Sequence, residues 1–185
     1  FSGTLANFAA GYYARTGQKS AFHPMTRLDR DTFGIVLLAK NAHVHTLLQN
    51  ADVQKTYHAL VLGSWEPEAG IIDAPIARRP LPSLLREIHP EGKPSRTHYR
   101  VLESARGLST LALQPITGRT HQLRLHMAAM GHPLAGDWLY GTEDRDLIAR
   151  PALHAHRLDL THPVTGETLH FTAPLPADMI RLMEQ

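Results

Sequence analysis

The residues best equipped for chemistry lie together in Arg27-Leu28-Asp29-Arg30-Asp31-Thr32, where two carboxylates alternate with two arginines ahead of an apolar run. A carboxylate beside guanidinium groups is held ionised, because the opposite charge favours the anion. An ionised, positioned carboxylate can act as a nucleophile toward an electrophilic carbon. The same pattern also suits a salt-bridged loop leading into a core strand. A second group is Thr117-Gly118-Arg119-Thr120-His121-Gln122-Leu123-Arg124-Leu125-His126. On a helix His121 and Arg124 share a face. Arginine there can fix a carboxylate with two parallel hydrogen bonds, and the turn before it can receive a phosphate. The plainer alternative is a capped amphipathic helix with surface charges. The third group is Lys55-Thr56-Tyr57-His58-Ala59, whose tyrosine suits either a half-buried sheet position or stacking on a base.

These groups need elements to hold them. Thr4 is placed to cap a helix over residues 4–14, with Leu5, Phe8, Ala9 and Tyr12 on one stripe. Phe1 stands almost at its start, which reads as a sequence beginning inside a domain. Gly34–Ala39 reads as a short buried strand, and Asn41 as the cap of a helix to about Ala51 with Val44, Leu47 and Leu48 inward. Lys55–Leu62 alternates as a strand should. Residues 63–95 carry many prolines and glycines and read as short strands joined by exposed loops. Thr97–Leu102 and Ser109–Gln114 read as strands joined at Arg106-Gly107. Thr120 is the expected cap of a helix to Met130, with Leu123, Met127 and Met130 on its apolar stripe and Gly131 closing it. Ala152–Leu160 and Glu167–Ala173 form a hairpin, and Pro176–Glu184 a terminal helix. Helices mix with neighbouring strands rather than alternating with them. The expected class is therefore α+β: a largely antiparallel mixed sheet flanked by helices.

Composition narrows the possibilities. The chain has 185 residues, 43% of them hydrophobic, which fits one domain with a substantial core. A net charge of +2 and a pI near 9.1 lean mildly toward anionic partners. There is no cysteine, so disulfides and thiolate metal sites are excluded. That suits a cytoplasmic protein, as does the lack of an apolar run near the ~20 residues of a membrane span. A metal centre built from histidine is the remaining alternative. His154-Ala155-His156 puts two imidazoles on one face of a strand, and His121 and His126 are further candidates. No His-Glu-x-x-His pattern is present, and a spacing of five aligns His121 and His126 poorly on a helix. The reading is therefore no metal.

Taken in order, the motifs resemble the RluA-type RNA pseudouridine synthases. Arg27-Leu28-Asp29-Arg30-Asp31-Thr32-Phe33-Gly34, ending at Ala39-Lys40, is similar to their catalytic signature. Lys55-Thr56-Tyr57-His58-Ala59 is similar to their second motif and Ile116–His126 to their third. Gly131-His132-Pro133-Leu134-Ala135-Gly136-Asp137 with Tyr140-Gly141 follows as in that family. Two positions depart from it: Thr26, where His or Asn is expected, and Phe33, where Ser is usual. The resemblance implies one catalytic domain over residues 1–185, lacking the N-terminal strand that carries Asn-Lys-Pro-x-Gly and any small RNA-binding domain before it.

That resemblance implies conversion of uridine to pseudouridine in structured RNA, ribosomal or transfer, by a monomer without cofactor. Asp29 becomes the nucleophile, attacking ribose carbon 1 or deprotonating the sugar. Arg124 is expected to pair with Asp29. Tyr57 is expected to lie on the uracil and to help remove the carbon-5 proton. The target base must leave its stack, with Arg27 filling the gap or holding the flipped nucleotide. Arg78, Arg79 and Arg86 are expected phosphate contacts, and Arg30, Arg119 and His121 complete the RNA-contacting set. A catalytically silent RNA-binding module would keep the basic loops without needing Asp29 and Arg124 together.

Overall fold

The computed structural model describes residues 3–80, 82–83 and 85–184. Phe1, and with it the reading of how the chain begins, lies outside the described residues, as do Leu81 and Leu84 in the proline-rich stretch. One six-strand path organises the fold: β11 (Thr168–Thr172), β10 (Leu153–Thr161), β4 (Val53–Leu62), β9 (Leu108–Pro115), β8 (Arg96–Ala105) and β5 (Ala69–Asp73), each antiparallel to its neighbour. A two-residue strand, β2 (Phe33–Gly34), joins β10 in parallel and makes the sheet mixed. The expected α+β class with a largely antiparallel mixed sheet is what the chain adopts. Two small ribbons stand apart: β1 (His23–Pro24) with β3 (Leu38–Ala39), and β6 (Ile76–Arg78) with β7 (Arg86–Ile88). The helices are α1 (Leu5–Arg15), α2 (Ala42–Leu48), α3 (Gln122–Ala129) and α4 (Ala177–Glu184).

β4 shows how the sequence pattern builds this. Tyr57, Ala59 and Val61 point to one face and pack with Leu111, Leu113, Leu123 and Met127, beneath α3. Leu60 points to the other face and packs with Met179 and Leu182 of α4. Each fully buried leucine contributes about 1.5–3 kcal/mol relative to exposure, so both helices are fixed to the central strand. The β8–β9 hairpin turns at Arg106 and Gly107 as expected, both with positive φ (53° and 76°), which matches the twist of a two-residue hairpin.

Several local expectations change. Thr4 caps α1 through a reciprocal pair with Asn7, as its type suggests. The stripe Leu5, Phe8 and Tyr12 is nevertheless exposed, and Ala9 and Tyr13 are the buried residues. Gly34–Ala39 is no continuous strand. Gly34 (φ 117°) lies so close to β10 that a Cβ there would sit 2.3 Å from the Ala155 carbonyl oxygen, so the chain touches β10, bends and then pairs with β1. Asn41 caps α2 as expected, accepting from the Val44 amide, but Leu47 is partly exposed. α3 is not capped by Thr120. Its N-cap is His121, in the left-handed region (φ 56°), and no side chain caps it there. Nor is it amphipathic: Gln122 through Met127 are all buried, so its polar side chains must find partners inside the protein, and Met130 at the end of the expected stripe is exposed.

Candidate active site

The turn carrying Asp29 is tied down from both sides. Thr26 Oγ1 accepts from the Leu37 amide at 2.9 Å, and the Met25 amide donates to the Leu37 carbonyl at 2.8 Å. A departure from the family pattern is thus a working anchor. The Thr32 amide then donates to the Asp29 carbonyl at 3.1 Å, closing a turn whose third residue, Asp31, has a φ of 67°. Beyond it the Ile35 amide bonds the Ala155 carbonyl at 3.0 Å. Phe33, the second departure, is half-exposed with the Arg150 guanidinium 4.3 Å from its ring centroid.

Asp29 opens onto a cleft of about 310 Å³ with Tyr57 and Lys55 of β4, Leu123 of α3, and Arg27 and Arg119 at its exposed rim. That size lies at the lower end of small-molecule sites, roughly 300–1,000 Å³. Tyr57 is buried, and burial, then the Asp29 charge, push its phenol up to about 12. The ring therefore meets the cleft as a neutral phenol at neutral pH. Lys55 was not singled out from the sequence, although it opens the Lys-Thr-Tyr motif; burial lowers its pKa below the ordinary lysine value.

The direct pairing of Arg124 with Asp29 is corrected by the structure. Arg124 donates from Nε to Asp137 Oδ2 at 2.8 Å and from Nη2 to Asp137 Oδ1 at 2.6 Å. Both side chains are almost fully buried (2% and 0% exposed), so each is the other's necessary counter-charge. Asp29 forms no ion pair among the described residues. It acts on Arg124 only as a more distant charge: burial works against the guanidinium, and the Asp137 bonds and charge, then Asp29, outweigh it and raise its pKa. Asp137 Oδ1 also accepts from the Leu139 and Tyr140 amides at 3.0 and 3.1 Å, shaping the turn after α3. The pairing was missed because Asp137 lies in a segment that read only as a family match.

The expected RNA-contacting residues separate. Arg27 and Arg119 reach the cleft. Arg78, Arg86 and Arg119 line a second groove of about 570 Å³ with Lys93, and Gly118 and Arg119 are common to both hollows. Arg79 is partly neutralised by Glu87 at 3.3 Å, and Arg30 lies against Asp31 at 3.6 Å, away from the cleft. His121 Nδ1 lies 2.9 Å from the Tyr140 hydroxyl. The histidines weighed as metal ligands are engaged otherwise. His126 bonds Thr97 Oγ1 and the Ala74 carbonyl, while His154 and His156 both bond the Ala173 carbonyl. Among the described residues no three His, Asp or Glu side chains converge to hold a metal.

A carboxylate, a buried tyrosine and two rim arginines thus meet around one cleft on this sheet. The RNA pseudouridylate synthase family model matches residues 3–129, and the chain belongs to that family. It is 43% identical over 187 residues to the uncharacterized RNA pseudouridine synthase YjbO of Bacillus subtilis, covering 99% of this chain and 66% of that protein. It is 37% identical over 199 residues to ribosomal large subunit pseudouridine synthase D of Escherichia coli, covering 98% and 61%. The chain thus spans less than two thirds of the length of these relatives. Human RNA pseudouridylate synthase domain containing 1 superposes with a TM-score of 0.74 at 29% identity, over 90% of this chain and 73% of that one. No described helix is long and apolar enough to cross a membrane.

Proposed function

We propose that this protein isomerises uridine to pseudouridine in ribosomal RNA, with the Asp29 carboxylate starting the reaction. The observation that carries this reading is the meeting of Asp29 and Tyr57 in one cleft whose rim is basic. The reaction breaks the bond between ribose carbon 1 and uracil nitrogen 1, turns the base and joins carbon 5 to carbon 1; carbon 5 gives up its proton to solvent and the freed nitrogen 1 takes one up. Atoms and electrons balance without oxidant, water or cofactor. Asp29 supplies the electron pair that opens the glycosidic bond, as the family resemblance implies. Tyr57, neutral and set in the floor of the cleft, offers its ring to the uracil and its hydroxyl as a hydrogen-bond donor. The flipped nucleotide enters past Arg27 and Arg119, and the RNA backbone runs on along Arg78 and Arg86. Ribosomal RNA is favoured over transfer RNA because the relatives named large subunit pseudouridine synthase D cover nearly the whole chain. Mapping pseudouridine across cellular RNA with and without the gene tests this. One or more ribosomal positions should revert to uridine; loss confined to transfer RNA, or no loss, overturns the substrate.

A further inference from the structure

Tyr140 belongs to no element that the proposed chemistry uses, yet its hydroxyl stands between two that it does. The Arg86 backbone amide, on hairpin strand β7, donates to the Tyr140 hydroxyl at 3.0 Å. On its other side the same oxygen lies 2.9 Å from His121 Nδ1. A phenol has one hydrogen to give. If that hydrogen goes to the ring nitrogen, Tyr140 accepts from the hairpin and donates to His121, an arrangement that requires the His121 proton on Nε2.

Both ends of this link matter to the site. Arg86 lines the second basic groove with Arg78 and Arg119. His121 lies between Arg119 and Gln122, which line the cleft with Asp29. Its backbone is in the left-handed region (φ 56°) at the very start of α3, a conformation that non-glycine residues rarely adopt and that needs outside support. Tyr140 gives that support twice, by the hydrogen bond and by an edge-to-face ring contact at 5.6 Å. Tyr140 is itself held by the Asp137 carboxylate, which accepts from its amide, and by the Arg124 guanidinium, 5.5 Å from its ring centroid. Burial lowers the His121 pKa, with the Asp29 charge opposing and Arg124 and Arg86 adding; burial raises that of Tyr140, keeping it a protonated donor.

We propose that Tyr140 is a positioning residue that locks the basic hairpin β6–β7 to the start of α3, so that RNA gripped along the second groove and the uridine held against Asp29 share one fixed geometry. This rests on the reading of the cleft as a pseudouridine-forming site. The test is Tyr140→Phe, which keeps the ring and removes only the hydroxyl, assayed by tritium release from a large-subunit ribosomal RNA transcript carrying carbon-5-tritiated uridine. The expected result is a kcat lower by about ten-fold, the scale of one lost hydrogen bond, with KM within about two-fold. His121→Ala made in the Tyr140→Phe background should lower kcat by clearly less than it does in the wild-type background, since only the ring contact is left to lose. A role in packing alone would be spared by phenylalanine. Wild-type kcat in Tyr140→Phe overturns the proposal, as does a loss that adds in full to that of His121→Ala. Two readouts need no RNA: the Arg86 amide should exchange with solvent at least about ten-fold faster in the variant, and imidazole nitrogen shifts should show His121 protonated on Nε2 in the wild type. An unchanged amide, or a proton on Nδ1, also overturns it. If the wild-type protein releases no tritium, the assigned reaction fails while these two measurements still decide the link.

Discussion

Asp29 and Arg124 illustrate what single side chains do here. Replacing Asp29 by Asn keeps shape and removes the charge, so Asp29→Asn should abolish tritium release while leaving the melting temperature and RNA affinity close to wild type. Asp31→Asn should be much milder, because Asp31 is exposed at the third position of the turn and faces Arg30. Near-normal turnover by the Asp29 variant would remove it from the chemistry. Arg124 belongs to a different class. Its guanidinium neutralises a carboxylate with no exposure to water, and stranding such a charge costs about 3–5 kcal/mol. Arg124→Met should therefore lower stability by about that amount in denaturant unfolding, and any loss of turnover should accompany misplacement of the 137–140 turn. A variant as stable as wild type would show that Asp137 had found another partner. The chemical residue types were legible in the sequence. The partner of Arg124 was not, because a bidentate pair depends on how α3 lies over the following loop, not on a motif.

At the scale of elements, the β6–β7 hairpin is the part that extends the cleft into a longer basic track. Strand pairing puts Arg78 opposite Arg86, and repulsion between them is relieved when an anion binds. Arg78→Ala should weaken RNA binding and reduce the slope of log affinity against log salt by roughly 0.7–0.9, as expected for one lost phosphate contact. Turnover at saturating RNA should hold. An unchanged salt slope would take Arg78 off the RNA path. The hairpin itself read only as short strands among loops, since three-residue strands carry too little alternation to register. α3 was found but read as amphipathic. Its polar positions are buried because Gln122 bonds Thr117, Arg119, Arg96 and Thr97, and His126 bonds Thr97 and Ala74. A periodicity argument sees those side chains as polar and cannot see that they are satisfied.

Over the whole molecule, the sheet has one face closed by α3 and the other closed only in part by α4. The open part gathers His58 and His156, stacked with ring centroids 4.1 Å apart, together with His98 and Arg100. Burial, then His156, His154 and Arg100, hold His58 down at about 4, against an ordinary value of 6.5. The unfolded chain takes up that proton near pH 6.5 and the folded one only near 4. The stability is present above about 6.5 and is lost as pH falls toward 4, with the size reduced by solvent because the ring is partly exposed. The melting temperature should drop between about pH 7.5 and pH 5, and His58→Gln should drop less; equal drops would place the acid sensitivity elsewhere. The motifs, their order, the α+β class and most element positions were determined by the sequence alone, because turn glycines, helix caps and alternating strands act over a few residues. Only the tertiary structure decided that Gly34 must touch β10, that Arg124 serves Asp137, that His121 meets Tyr140 and that two basic hollows meet at Arg119. Each of these depends on which distant segments the packed sheet brings within a few ångströms, and local pattern carries no record of that distance.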